Sequence, residues 1–146
     1  MSRVSQYFSL EEFIKSDTAD RLGISNFPND EVACNLKILA VNALDPIREL
    51  ACGPIKITSG YRCCELNYKV GGSPNSDHIY GQAADFGPGY SVDDLDRWLD
   101  DMYRLIIRSP IKYHQLIREP TWLHISYRLD NQCRHWRNDG IKSETA

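Results

Sequence analysis

The chain lacks any apolar run long enough to cross a bilayer, and its first residues, Met1 to Phe13, hold no apolar core of signal-peptide length. These absences lead us to expect a protein made and folded in a cytoplasm, with no membrane partner. Positive charge is also short: 17 lysines and arginines stand against 20 aspartates and glutamates, a net charge of −3. That balance offers no basic surface for nucleic acid or anionic lipid. Cysteine is sparse and poorly arranged for structural use. Cys34, Cys52, Cys63, Cys64 and Cys133 are odd in number and show no CxxC spacing, which argues against a disulfide framework and against a cysteine-based zinc site. The adjacent Cys63 and Cys64 are read as ordinary reduced thiols. The run Gly71-Gly72-Ser73-Pro74-Asn75 lacks the lysine of a GxxxxGK[ST] loop, so it is not a phosphate cradle. Neither Ser59 nor Ser76 has a base at a recognisable spacing, which sets aside a serine nucleophile. No internal repeat or low-complexity segment breaks the chain.

What is present fits a globular protein. At 146 residues the chain is expected to form one domain, with residues 1–30 as an N-terminal capping segment and 129–146 as a C-terminal tail. Ser9-Leu10-Glu11-Glu12 reads as a capping box that opens a short helix to about Lys15, pinned by Phe8, Leu10 and Phe13. A polar loop is expected from Asp17 to Asp30. A long helix should follow to Ala51, with Val32, Leu36, Leu39, Ala43, Ile47 and Leu50 as one buried stripe. Pro46 should kink or divide it. Ile55 to Thr58 and Ala83 to Phe86 read as strands. Ser91 to Asp94 should cap a helix whose inner face is Val92, Leu95, Leu99, Met102 and Ile106, with Asp93, Asp96 and Arg97 toward water. Tyr113 to Glu119 and Trp122 to Tyr127 flank Pro120-Thr121 as a hairpin, pairing Glu119 with Trp122, Ile117 with His124 and Gln115 with Ser126. That register puts Glu119 diagonally across from His124 on one face, and a slip of one residue would undo it. In the polar tail, Arg134 and Trp136 are the candidates to dock, and fraying is expected from Asp139 onward.

The densest chemistry lies in Ser76-Asp77-His78-Ile79-Tyr80-Gly81-Gln82-Ala83-Ala84-Asp85. A histidine and an aspartate seven residues apart, with a glycine and two alanines between, suit two ligands separated by a turn and the start of a strand. His124 lies far downstream in the alternating run Trp122 to Tyr127. Two imidazoles and one carboxylate are a donor set that leaves a tetrahedral zinc one open position. His114 and His135 stand outside this pattern and are read as non-ligands.

These residues resemble a known family. Ser76-x-His78-x-x-Gly81-x-Ala83-x-Asp85, followed by Trp122-x-His124, is similar to the pattern of the M15 zinc peptidases, the D-alanyl-D-alanine carboxypeptidase and phage endolysin group. Ser59-Gly60-Tyr61-Arg62, Asn67 and Gly71-Gly72 match the same pattern. The likeness runs from about Leu36 to Tyr127 and is nearest to the short stand-alone phage and prophage members. It implies a compact α+β fold of the hedgehog/D-Ala-D-Ala-peptidase type, a small antiparallel sheet packed by helices. It implies one Zn2+ ion held by His78, Asp85 and His124. It assigns Arg62 to the substrate or to the oxyanion formed during attack, and puts Ser76 at the motif's serine. The chain departs from the pattern at one place. Most relatives carry the catalytic acid three residues before the second histidine, and here that residue is Thr121. Glu119, five before, occupies a position where stand-alone members often carry a glutamate, and is the expected general base. Asp77 is the fallback, a weaker one because adjacent strand residues point to opposite faces. Tyr61, Trp122 and Gln115 complete the expected substrate wall.

The chemistry implied is that of a zinc hydrolase. Zinc bound by two neutral imidazoles and a carboxylate keeps about one unit of positive charge and lowers the pKa of water from ~15.7 to roughly 7. A carboxylate beside that water would accept its proton and pass it to the leaving amine. Arg62 would clamp a substrate carboxylate or the oxyanion. The expected function is hydrolysis of peptide bonds in peptidoglycan stem peptides, as a carboxypeptidase or endopeptidase, by a phage- or prophage-encoded protein. Such a protein would either wait in the host cytoplasm for a holin or ride on the virion. The alternative is a non-catalytic virion or wall-binding module that retains the fold and the zinc site.

Overall fold

The structure, a computed structural model, describes residues 2–140. Its chain begins with the expected capped helix, α1 (Leu10–Ile14), where the Ser9 N–H and hydroxyl both donate to the Glu12 carboxylate, at 2.7 and 3.2 Å. Phe8 and Phe13 are buried on either side of the cap, their rings 5.9 Å apart. The polar loop expected next is in part a helix, α2 (Asp17–Leu22). Its signals are all at the ends: the Ser16 hydroxyl accepts from the Ala19 N–H, and Gly23 closes it in the left-handed conformation. Only Ala19 is buried, so no apolar stripe announces it.

The long apolar stripe forms α3 (Asp30–Leu39) and α4 (Asp45–Leu50), and Val32, Leu36, Leu39, Ala43 and Ile47 are buried as expected. Pro46 divides the helix by a different device from a kink. A π-helical turn, Ala40–Leu44, joins the two halves and carries buried Ala40, Ala43 and Leu44 into the core. A proline lacks the N–H that an α-helical ladder needs, and widening the turn ahead of it is one way to accommodate the loss.

Five strands make one sheet in the order β1-β2-β4-β3-β5: β1 (Ile55–Ser59), β2 (Ala83–Pro88), β3 (Gln115–Arg118), β4 (Leu123–Ser126) and β5 (Arg134–Arg137). The first four pair antiparallel, as the resemblance implies. β5 corrects that expectation: it lies parallel to β3, pairing Gln115 with Arg134 and Ile117 with Trp136, so the sheet is mixed. The α+β class stands. One face of the sheet, with Ala84, Phe86, Leu116, Leu123 and Ile125, is fully buried in the core shared with α3, α4 and α6 (Leu95–Arg108). Alternation leaves Asp85 and His124 on the opposite face. α6 starts later than the sequence implies, because Asp94, not Ser91, caps it by accepting from the Arg97 N–H at 3.0 Å.

The tail is not a loose end as far as it is described. Arg118 is 1% exposed, under α6, and its guanidinium meets Asp100 at 3.0 Å, Asp96 at 3.2 Å and Asp139 at 3.6 Å. Arg137 reaches Asp100 at 2.9 Å and Asp139 at 2.7 Å. Fraying from Asp139 is therefore corrected at Asp139 itself, which this network holds in place; the remainder of that expectation, residues 141–146, lies outside the described residues. A further helix, α5 (Cys64–Lys69), follows β1. The Cys63 sulfur caps it by accepting from the Leu66 N–H, and it buries only Leu66 and Asn67.

Candidate metal centre

The stretch from Ser76 to Asp85 folds as a 3-10 turn, Asp77–Tyr80, a left-handed glycine and the first half of β2. Ser76 caps the turn by accepting from the His78 N–H at 3.2 Å, and this sets the direction in which His78 leaves the backbone. Gly81, at φ 71°, reverses the chain so that β2 can start two residues on. Asp85 then pairs directly with His124 of β4 across the antiparallel ladder. Directly paired residues share a face, so β2 and β4 bring carboxylate and imidazole together by register alone.

The result is a compact set. Asp85 Oδ1 lies 2.8 Å from His124 Nδ1 and 3.4 Å from His78 Nε2, and the three donor atoms all fall within 4.8 Å of one another. His78 is buried, and its other ring nitrogen, Nδ1, is 2.6 Å from the Gly60 carbonyl. A carbonyl only accepts, so Nδ1 carries the proton and the Nε2 lone pair is free to face Asp85. A backbone carbonyl behind a ligating histidine is the usual arrangement in metal sites, because it fixes tautomer and ring orientation. Burial opposes ionisation of Asp85, but the hydrogen bond from His124 outweighs it and holds the carboxyl well below the ordinary range. Two imidazoles and a carboxylate clustered in this way are the donor set that a single divalent cation of the zinc type takes.

Arg62 stands beside this set. Its half-buried guanidinium donates to the Ser76 hydroxyl at 3.4 Å, while its Nε has no protein partner. Desolvation lowers its pKa, against the pull of the Asp85 charge. Its backbone is anchored on both sides by Asn26, a residue the sequence places in an unremarked loop. The Asn26 amide donates to the carbonyls of Ile14 and Tyr61 at 2.9 Å each, and its oxygen accepts from the Cys63 N–H at 2.8 Å. The Arg62 N–H itself donates to the His78 carbonyl at 3.1 Å, tying the arginine to the metal turn. Tyr61 lies half-buried next to it. Asn67 has a structural part, donating to the Ser73 carbonyl to hold the Gly71-Gly72 loop.

The hairpin forms in the expected register, Ile117 opposite His124 and Gln115 opposite Ser126, and the Glu119 N–H donates to the Trp122 carbonyl at 3.0 Å. Glu119 follows the end of β3 on the parity of Ile117, and its carboxylate accepts from the Asn138 side chain at 3.2 Å. Thr121 is exposed in the turn. Trp122 is half-buried just before β4, two residues from His124, and Gln115 is half-buried two places along the ladder. Asp77 is buried and bound to Arg128 at 2.6 Å, which gives it a structural partner and weakens it as a fallback base. Among the described residues, neither His114 nor His135 joins the three-donor set. His135 lies instead by Tyr113 and Tyr103, on the α6 side.

Comparison with known proteins adds two findings. A family model described as Peptidase M15 matches residues 6–107. That span holds Arg62, His78 and Asp85 and ends before β3, so it does not reach Glu119 or His124; His124 joins the set through the β2–β4 register. The zinc D-Ala-D-Ala carboxypeptidase of Streptomyces albus G is 50% identical over 36 residues, 25% of this chain and 14% of that protein. The chain thus matches about one seventh of that relative's length.

Proposed function

The chain belongs to the peptidase M15 family, and from that membership we propose that it is a zinc-dependent peptidase acting on peptidoglycan stem peptides. One observation carries the reading: His78, Asp85 and His124 each bring a donor atom within 4.8 Å of the others, with the His78 tautomer set by the Gly60 carbonyl. These three residues would hold the zinc ion, which when bound supplies a Lewis acid that activates water and polarises the scissile carbonyl. Arg62, with an unpartnered Nε and a guanidinium held by Ser76, takes the substrate carboxylate or the developing oxyanion. Glu119 accepts the proton of the attacking water and delivers it to the leaving amine, after exchanging its Asn138 partner for that water. Tyr61, Trp122 and Gln115 wall the substrate. The finer terms of the proposal are phage or prophage encoding, synthesis in a bacterial cytoplasm, and action on the wall after holin-dependent release or from a virion.

A second reading has its own support. Thr121 occupies the position where most relatives carry the acid, and Glu119 spends its oxygens on Asn138. A module that binds zinc and wall peptide without cutting would look the same. Zinc-loaded protein incubated with purified sacculi separates the two. The enzyme releases new amino or carboxyl termini, detected by mass spectrometry of the muropeptides, and a chelator or His124→Ala abolishes the release. Sacculi left intact by the zinc-loaded wild type would remove the peptidase reading. Glu119→Gln is expected to keep stoichiometric zinc and to lose at least about 100-fold in kcat, the usual worth of a positioned general base.

A further inference from the structure

A longer cleft runs along β1 and ends at Arg62, beside the candidate zinc site. β1 is one of the sheet's two edge strands, and the corner between α1 and α2 faces it. Between them run two adjoining cavities. The first, about 270 Å³, is lined among others by Thr58, Ser59, Tyr61 and Arg62, facing Lys15, Ser16, Asp17 and Thr18. The second, about 190 Å³, carries on along the same strand past Thr58 and Ile57 to Lys56, again facing Lys15, Ser16 and Asp17. Their shared walls make one groove that follows β1 from Lys56 to Arg62.

The groove ends at Arg62, and its β1 wall adjoins the strand that carries Asp85. Ser59 pairs with Asp85, and the Thr58 hydroxyl donates to the Asp85 carbonyl at 3.2 Å. Lys56 and Thr58 are exposed and lie on the strand face opposite buried Ile55 and Ile57. The groove's charge is Lys15, Lys56 and Arg62 against Asp17, positive in a chain of net charge −3. Among the described residues, neither lysine has an ion-pair partner. A cleft of this length, with a strand edge for one wall and cations at both ends, fits an extended peptide that carries two carboxylates. Lys56 is three residues from Ser59, roughly 10 Å along a strand at about 3.3 Å per residue.

Resting on the peptidase reading above, we propose that this groove is the extended substrate site. Lys15 and Lys56 form an anionic subsite for a free carboxylate about three residues from the bond held at the metal, while Arg62 takes the group beside the metal. The subsite makes the protein selective for acidic wall peptides over their amidated forms.

Matched synthetic stem peptides, identical except that one carboxylate is free or amidated, test the subsite. Wild type should favour the free acid by about tenfold in kcat/KM, the effect of one charge-assisted contact. Lys15→Glu/Lys56→Glu should bring the ratio of acid to amide to about one or below, and Lys15→Arg/Lys56→Arg should restore it. Lys112→Glu, a charge reversal away from the groove, should leave the ratio at its wild-type value. No acid preference in wild type, or a ratio unmoved by the double reversal, overturns the subsite. Calorimetric titration of the same two peptides into metal-free protein gives the ratio as affinities. If neither peptide is cut, the peptidase reading falls, and the affinity ratio still decides the subsite.

Discussion

Gly81 does two things that no other residue can do at once. Its φ of 71° lies where an L side chain costs about 1–2 kcal/mol. A Cβ there would also meet the Val32 carbonyl at 2.8 Å and the Val32 side chain at 2.9 Å. Gly71 separates the two effects, since at φ 76° it has open space around the missing Cβ. Gly71→Ala should therefore cost only the conformational term, about 1–2 kcal/mol. Gly81→Ala should cost clearly more in urea unfolding, because α3 backbone cannot move aside as a side chain can. It should also weaken zinc binding, since the turn between His78 and Asp85 would open. Equal losses in the two variants would show that the approach of α3 does not matter. At this scale much of the site was legible: His78, Asp85 and His124 carry a pattern in their neighbours, and their donor atoms do converge. Gly60 and Asn26 were not legible in their roles, because they act through a backbone carbonyl and a side-chain amide whose partners are distant in sequence.

At the scale of elements, Arg118 is the joint between α6, the hairpin and β5. Besides its aspartates, its guanidinium donates to the carbonyls of Glu119 and Pro120 at 2.7 and 3.0 Å, so the same side chain fixes the turn that carries the expected base. Removing one partner of a buried ion cluster leaves charge uncompensated, and Arg118→Ala should cost about 3–5 kcal/mol in urea unfolding. The cluster also predicts an acid limb. Burial opposes ionisation of Asp100, but hydrogen bonds from Arg118 and Arg137 outweigh it and lower its pKa in the folded protein. A lowered carboxyl stabilises the fold above its unfolded value of about 3.9 and loses that contribution as pH falls below it, through the folded value. Urea midpoints followed from pH 6 to 2 should thus fall less steeply in Asp100→Asn than in wild type; parallel curves would remove Asp100 from the acid limb. The elements that sequence reading missed share a cause. α2 and α5 bury one or two residues each, and β5 is held by ion pairs and by β3, so none shows apolar periodicity. The stripe of α3 and α4, the inner face of α6 and the hairpin register were readable because burial of alternating or helically spaced apolar side chains is what selects them.

At the scale of the whole molecule, the donor set ties the fold to the ion it would hold. β2 and β4 supply Asp85 and His124, while His78 comes from a turn braced by Gly60, α3 and Arg62, so a cation bound by all three would crosslink β4 to residues 39 and 46 positions earlier in the chain. A ligand that binds only the folded state stabilises it by about 2.7 kcal/mol at 100 times its Kd. For a chain of this size that raises Tm by roughly 5–11 °C, at about 2–4 °C per kcal/mol. Zinc added to metal-free protein should produce that rise, and excess chelator should reverse it. In His124→Ala the rise should largely vanish, because two donors cannot replace three. Glu119→Gln should show the full rise, since its carboxylate lies outside the donor set. If Glu119→Gln loses the thermal response along with His124→Ala, the glutamate belongs to the metal site and not to proton transfer. If both variants keep it, zinc binds elsewhere and the three-donor centre is wrong. The melting experiment therefore separates metal holding from catalysis without depending on any substrate.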